Sequence, residues 1–391
     1  MLWTHTVAGK KAARKNYIAF LVAVTLGIIG AVAIVYTGYA NVPKNKYCLV
    51  LDDNFDTLNT TTWLREMEVG GYGNQEFEWT TDSNNNSYVE NGILYLVPTL
   101  TSDNIGMDNV LNGYTLNLTT SHQCTALNIS DAASCSIASN STTGKMIPPI
   151  QSARLSTRLS TSIKYGKVEV RAKMPTGDWL WPAIWMLPRD NKYGDWPRSG
   201  EIDIMESKGN GVTSRSDETS NTMRSTLHWG PTPDTDQWWR STAIKQMWRD
   251  YWNKGFNTFG LEWDEHRLTV WQNSPVNVVL TYPFDKPLYA KAGLGTSSSN
   301  GTFISDPWSS SRTPRVAPFD ESFYLILNVA VGGTNGFFGD AEFESTKPWS
   351  NKGLRPVNDF WINRDQWLPT WPQDPKQRGM AVDYVKMWQQ C

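Results

Sequence analysis

Three carboxylic acids fall within six residues in the run Ser199-Gly200-Glu201-Ile202-Asp203-Ile204-Met205-Glu206. Ile202 and Ile204 alternate with the acids, so on a strand Glu201 and Asp203 share one face while the isoleucines enter a core. Glu206 is an odd number of residues from Glu201, and strict alternation sends it to the opposite face. A single bulge near Ile204-Met205 returns it to the acidic face. Even then, at about 3.3 Å per residue, the two Cα atoms stand roughly 13 Å apart, so the glutamate side chains must lean together across a concave sheet. Clustering three carboxylates costs electrostatic free energy, and a plain surface strand gains nothing in return. Glycoside hydrolysis gives the cluster a use: retaining enzymes hold two carboxyls about 5 to 5.5 Å apart, one as nucleophile and one as proton donor. A neighbouring Asp can orient the nucleophile and tune its pKa. This division asks for an ionised Glu201 and a protonated Glu206. A solvent-facing acidic strand is the alternative reading. A second alternating trio, Asp340, Glu342 and Glu344, lies in a Gly-rich turn region without β-branched neighbours and reads as a solvated loop.

The elements that must position these acids are strands. Period-2 alternation between turn signals recurs at Tyr88 to Val97, Gly166 to Met174, Glu201 to Glu206, Met223 to Trp229, Phe256 to Trp263, Arg267 to Trp271, Phe323 to Val331 and Ala381 to Trp388, the pattern of an all-β sandwich. Asn91-Gly92 supplies the positive φ of a tight hairpin inside the first of these. Helical periodicity is scarce, and Arg240 to Trp252 is the one segment expected to hold a short helix. Thr99 to Pro149 and Gly209 to Asn221 are polar and turn-rich and are expected to be long surface loops. No repeat and no long Gly, Ser or Pro run divides residues 41–391, so they are read as one domain. The 20 Trp, 15 Tyr and 13 Phe exceed what a core usually needs and suggest a surface that stacks on flat rings such as sugars. With a formal charge of −2 there is no basic excess to neutralise phosphates, which argues against a nucleic-acid partner.

Tyr17 to Tyr39 carries no charge and, at about 1.5 Å rise per residue, spans a hydrocarbon core of roughly 30 Å. Residues 17–39 therefore read as a transmembrane signal anchor. A cleaved signal peptide is the rival, given the small residues around Gly38-Tyr39-Ala40, although its apolar region usually runs only about 7 to 15 residues. Lys10, Lys11, Arg14 and Lys15 hold residues 1–16 in the cytosol, giving a single-pass type II protein whose remaining chain is luminal or extracellular; signal cleavage would make it secreted. Six Asn-x-Ser/Thr sequons, at Asn59, Asn85, Asn117, Asn128, Asn140 and Asn300, all follow the anchor. So do all four cysteines. Cys124 with Cys135 would close one loop, and Cys48 with Cys391 would tie the two ends of the domain on neighbouring strands; buried free thiols are the alternative.

The runs SARLSTRLSTSIKYGKVEVRAKMPTGDWLWPAIWMLP and WPRSGEIDIMES resemble the laminarinase-like members of glycoside hydrolase family 16. So do GNQEFEW at 73–79, STLHWG at 225–230, FNTFGLEWDEHRLTVW at 256–271, FYLILNVAVGG at 323–333 and MAVDYVKMW at 380–388. The resemblance spans nearly all of the chain after the anchor. It implies a concanavalin A-like β-jelly-roll of two antiparallel sheets with a substrate cleft on the concave face. By match to the motif, Glu201 would be the nucleophile, Asp203 its assistant and Glu206 the general acid/base. Trp181, Trp185 and Trp196, and more weakly Trp179, match tryptophans that stack on glucose rings. Asn74 and Glu76 match residues that bind sugar hydroxyls on the glycone side, and His228 matches a histidine near the carboxylates. Asp383, with backbone near Gly92, matches a structural calcium position; no cofactor is otherwise implied. The implied activity is endo-hydrolysis of β-1,3 or mixed β-1,3/1,4 glucan by a monomer. Two alternatives stand beside it: a cell-wall glucan transglycosylase, which would use the same residues to pass the glycosyl group to another sugar, and a glucan-binding receptor without turnover, against which retention of all three acids argues.

Overall fold

Alternation decides the layers. In Gly166–Lys173, Val168, Val170 and Ala172 are buried while Lys167, Glu169 and Arg171 stay half-exposed, so one face of this strand is core and the other meets water. Phe323–Val331 is buried along its whole length, as a central strand covered on both faces must be. The computed structural model describes residues 6–40, 45–127, 131–211, 219–294, 305–343 and 346–391.

Two eight-stranded antiparallel sheets make a jelly-roll sandwich. The outer sheet runs Ser274–Pro283, Arg267–Gln272, Asn257–Trp263, Gly166–Lys173, Met380–Gln390, Ile93–Leu96 and Ser87–Glu90, with Tyr47–Asp53 also pairing along Met380–Gln390. The inner sheet runs Thr242–Gln246, Thr222–His228, Glu201–Ser207, Leu180–Pro188, Phe323–Val331, Arg154–Ser156 and Leu64–Arg65, with Ser162–Ile163 on Phe323–Val331. One apolar core lies between them, with Val168, Val170, Leu261 and Val385 from the outer sheet meeting Ile184, Ile202, Ile204 and Leu325 from the inner. The expected hairpin forms, with Asn91 and Gly92 both at positive φ. Separately, Val7–Ala40 is one helix long and apolar enough to cross a membrane, starting ten residues before the uncharged stretch.

Three expectations are corrected. Arg240 to Trp252 is not helical: Thr242–Gln246 is the edge strand of the inner sheet, paired with Thr222–Thr226, because ladder hydrogen bonds to an open sheet edge outweigh a weak local helix preference. Thr99 to Pro149 is more ordered than a surface loop. Its described residues hold three short helices and the hairpin Thr115–Asn117 with Ser136–Ala138, closed over a small core of Met67, Val69, Trp79 and Leu118. Asp340 and Glu342 are not simply solvated, since each neutralises a buried lysine, Lys347 at 2.6 Å and Lys208 at 2.9 Å. Glu344 and part of the Gly209 to Asn221 loop lie outside the described residues. Cys124 and Cys135 are bonded, Cys48 and Cys391 are also in disulfide form, and no described cysteine is free. Asn59, Asn85 and Asn140 are exposed and Asn117 is half-buried, while Asn128 and Asn300 fall outside the described residues.

The bulge sits where alternation required it. Trp185 pairs with Asp203 and Ile184 with Met205, which leaves Ile204 as the extra residue. Across the other edge Asp203 faces Thr226 and Glu206 faces Arg224. The fully buried Ser225 hydroxyl donates to the Ile204 carbonyl at 2.7 Å, satisfying a group that the interrupted ladder leaves over. Ser225→Ala should therefore lower stability by about 1–3 kcal/mol, read as a lower urea midpoint at unchanged slope; an unchanged midpoint would show that the bulge holds without this bond.

Candidate active site

Gly200 begins the acidic strand at φ +86°, and a Cβ there would come within 3.1 Å of both Phe319 and Pro318, so the turn into the strand needs glycine. Beyond it, Ile202, Ile204 and Met205 are fully buried, Asp203 is nearly so, and Glu201 and Glu206 are half-buried. Both glutamates line a cleft of about 900 Å³ on the inner sheet, together with Trp181, Trp185, Trp196, Asn74 and His228. The bulge has put both acids on the cleft side.

Each glutamate is held by an indole. Trp196 Nε1–H donates to Glu201 Oε2 at 2.9 Å, and Trp181 Nε1–H donates to Glu206 Oε1 at 2.9 Å. Trp196 remains 43% exposed and offers its ring to a ligand, whereas Trp181 is 7% exposed because Phe337 stacks on it at 4.0 Å. Trp185 donates to Asn328 Oδ1 at 2.8 Å, and the Arg154 guanidinium lies 4.7 Å over its ring. Arg154 is fixed by a buried ion pair to Glu66 at 2.7 Å. The loop that carries Trp196 is braced from behind. Trp308 Nε1–H donates to the Arg198 carbonyl, and Asp320 accepts from Tyr193, Ser311 and Thr313.

His228, at the end of the neighbouring strand, links the cluster. Its Nε2 is 3.3 Å from Asp203 Oδ2 and 3.9 Å from Glu201 Oε1, and its Nδ1 is 2.6 Å from Asp236 Oδ2. Asn74 lines the cleft and donates to Glu76 Oε1 at 2.9 Å, while Glu76 is buried behind it. Trp179 is brought elsewhere. It is 2% exposed and packs edge-on against Phe338, Phe343 and Trp349, as a core residue. Asp383 is on the outer sheet, paired with Arg171. A guanidinium already balances that carboxylate, so these residues do not fit a calcium site.

Burial, reinforced by the charge of Asp203, pushes the Glu206 carboxyl up to about 8 and raises Glu201 well above the usual carboxylate range. Solvation thus does not by itself divide the two glutamates into one ionised and one protonated group, as alternation and chemistry had asked; they release protons as a set. Burial works against a charged His228, but the bonds to Asp203 and Asp236 outweigh it and hold the imidazole pKa well above its ordinary value. Each glutamate accepts one indole N–H, so the feature that can separate their roles is the cation beside Glu201. Sequence reading missed Asp236, Phe337, Arg154 and Trp238, all of which line the cleft. Of these, Asp236 had a readable signal, an acid eight residues past His228 beyond a Pro-rich turn.

A sequence profile described as XgeA-like, catalytic GH16 domain, matches residues 112–247. The chain is 38% identical over 387 residues to a β-1,3-glucan-binding protein of Penaeus monodon, covering 96% of this chain and 98% of that one. It is 31% identical over 342 residues to β-1,3-glucan-binding protein 1 of Galleria mellonella, spanning 87% of this chain but only 63% of that relative. Among solved structures it is similar to the laminarinase catalytic domain of Thermotoga maritima, with TM-score 0.51 and 24% identity over 88% of this chain and 99% of that one. The laminarinase of Rhodothermus marinus gives TM-score 0.53 and 22% identity over 89% and 100%. At such identity these structures speak for the fold.

Because the folded state raises the Glu206 pKa from 4.5 to about 8, it keeps a proton that the unfolded chain gives up, and this group's contribution to stability declines as pH rises between those values. In ¹³C-glutamate spectra Glu206 should titrate near 8. Trp181→Phe removes a donor that favours the carboxylate, so the midpoint should move higher. A midpoint near 4.5, or a downward move in Trp181→Phe, would contradict this electrostatic picture.

Proposed function

The chain belongs to glycoside hydrolase family 16, and from that premise we propose that it is a retaining endo-β-glucanase acting on β-1,3-glucan, possible mixed β-1,3/1,4 linkages included. The observation that carries this reading is the pair of indole-tethered glutamates on one bulged strand, facing one cleft. Glu201 attacks the anomeric carbon as Glu206 protonates the departing oxygen, giving a glycosyl-enzyme. Glu206 then takes a proton from the water that releases the sugar, so the β-configuration survives. Asp203 assists Glu201 from its own side of the strand. Trp196 and Trp185 offer rings to glucose units, with Trp181 closing the floor, and Asn74, backed by Glu76, offers polar contacts toward one end of the cleft.

A second reading has a specific support: the Penaeus and Galleria relatives are named for binding β-1,3-glucan. On that reading the cleft holds glucan without cutting it. Retention of all three acids favours turnover. Glu201→Gln and Glu206→Gln should each reduce laminarin turnover by several orders of magnitude while glucan binding and folding persist. Proton NMR of a fresh wild-type digest should show the β-anomer first. Full activity in either variant, or an α-anomer first, would overturn the retaining mechanism; glucan binding with no product of any length from the wild type would favour the binding reading.

The domain organisation belongs to the same proposal: residues 1–16 as a cytosolic tail, 17–39 as the signal anchor, and 41–391 as a glycosylated, monomeric catalytic domain on the luminal or extracellular side. Exposed Asn59, Asn85 and Asn140, together with the oxidised cysteines, support that side. Expressed with residues 1–40 included in a eukaryotic cell, the protein should remain in the membrane pellet after alkaline carbonate washing and lose mass on deglycosylation. Recovery in the medium, shortened near Ala40, would mean a cleaved signal peptide instead.

A further inference from the structure

Asp236 has no part in the scheme above, yet it is the most firmly placed acid near the cluster. Its side chain is 7% exposed and both its oxygens are used: Oδ1 accepts the Trp229 backbone N–H at 3.0 Å, and Oδ2 meets His228 Nδ1 at 2.6 Å. The backbone bond fixes the carboxylate, and a fixed carboxylate obliges Nδ1 to carry a hydrogen. The ring then has one free direction for Nε2, and that direction is Asp203 at 3.3 Å and Glu201 at 3.9 Å. Trp196 closes the remaining side, with its ring 5.6 Å from the imidazole.

We propose that Asp236 is a positioning residue of the reaction: it locks His228 with Nε2 toward Asp203 and Glu201 and keeps a cation there, so that Glu201 can be ionised for attack while Glu206 holds its proton. This rests on the retaining-hydrolase reading. The charges around the imidazole support it. Glu201 and Asp203 face it from the acidic strand, with Glu206 beyond the bulge, and Asp236 faces it from the loop that follows His228. Asp234 lies on the cleft rim, and Arg224, on the strand that carries His228, acts on Glu206. Close to Nε2, then, the groups are acidic, and a neutral imidazole would leave Glu201 and Asp203 facing one another without an intervening cation. The same arrangement bears on the difficulty that burial raises both glutamates: each has one indole N–H, and the cation stands nearest Glu201.

Asp236→Asn keeps an oxygen for Trp229 N–H and removes the charge from Nδ1. The full-length chain in detergent micelles, labelled at histidine Cε1, has only four histidines, and His228→Gln identifies the resonance. In Asp236→Asn the His228 midpoint should fall by at least about one pH unit. The acidic limb of kcat/KM on laminarin, which reports Glu201 ionisation, should move up by about one unit, a loss of roughly tenfold on that side with KM little changed. His228→Gln should displace the same limb in the same direction, and the double variant should go no further. An unmoved His228 midpoint overturns the lock, and a fallen midpoint with an acidic limb that stays or moves down overturns its effect on Glu201. If the wild type shows no turnover on laminarin, it is the hydrolase reading that fails, and the histidine titration alone then decides the lock.

Discussion

A single extra residue in one strand governs everything else in this site. Without the bulge at Ile204, Glu206 would enter the core and a methionine would face the cleft, because side chains alternate with period two. With it, Ile204 and Met205 are both buried and the two glutamates stand on one side. The irregularity is supported rather than merely tolerated. Leu180–Pro188 and Thr222–His228 both change register around it, and Ser225 supplies the hydroxyl that the interrupted ladder lacks. A strand on both sides makes slippage costly, since any slip would expose the isoleucines and bury the acids.

Placing three acids together on a half-buried surface then sets an electrostatic problem that the surrounding residues answer. Two indole N–H groups, one from the packed Trp181 and one from the exposed Trp196, each take one glutamate. His228 sits between Asp203 and Asp236, so its charge is balanced on both sides. The more distant Arg154–Glu66 pair and the lysines under the 338–343 turn follow the same rule: a buried charge persists only with a partner in contact. Those lysines shape the turn that places Phe337 on Trp181. The wall of the cleft thus depends on ion pairs some distance from the chemistry.

What was legible in the sequence was whatever depends on period. Alternation located nine strands to within two residues, though not Leu180–Pro188, Ser274–Pro283 or Tyr47–Asp53, and it placed Ile202 and Ile204 in the core and required the bulge where it occurs. The acids were legible as residue types in a pattern, and His228 only through the resemblance of its segment to the family. What depends on the path of loops was not. Asp236 returns to His228 only because Thr232–Asp236 turns back on itself, and Phe337 reaches Trp181 only through a turn built on buried lysines. Thr242–Gln246 was misread because an edge strand gains its order from its neighbour rather than from its own residues. The pairing of Asp383 was not legible because its partner Arg171 is contributed by a strand more than two hundred residues earlier.

The account stands on Glu201 being the nucleophile and Glu206 its acid, brought to one face by that bulge. Its most direct test is to trap the glycosyl-enzyme with a 2-deoxy-2-fluoro laminari-oligosaccharide carrying a good leaving group, and to locate the sugar by tandem mass spectrometry of the digested protein. The expected result is one glycosyl unit per chain, on the peptide containing the acidic strand, with the added mass on Glu201 and none in Glu201→Gln. Label on Glu206, or an enzyme that degrades laminarin yet never accumulates the adduct, would contradict it.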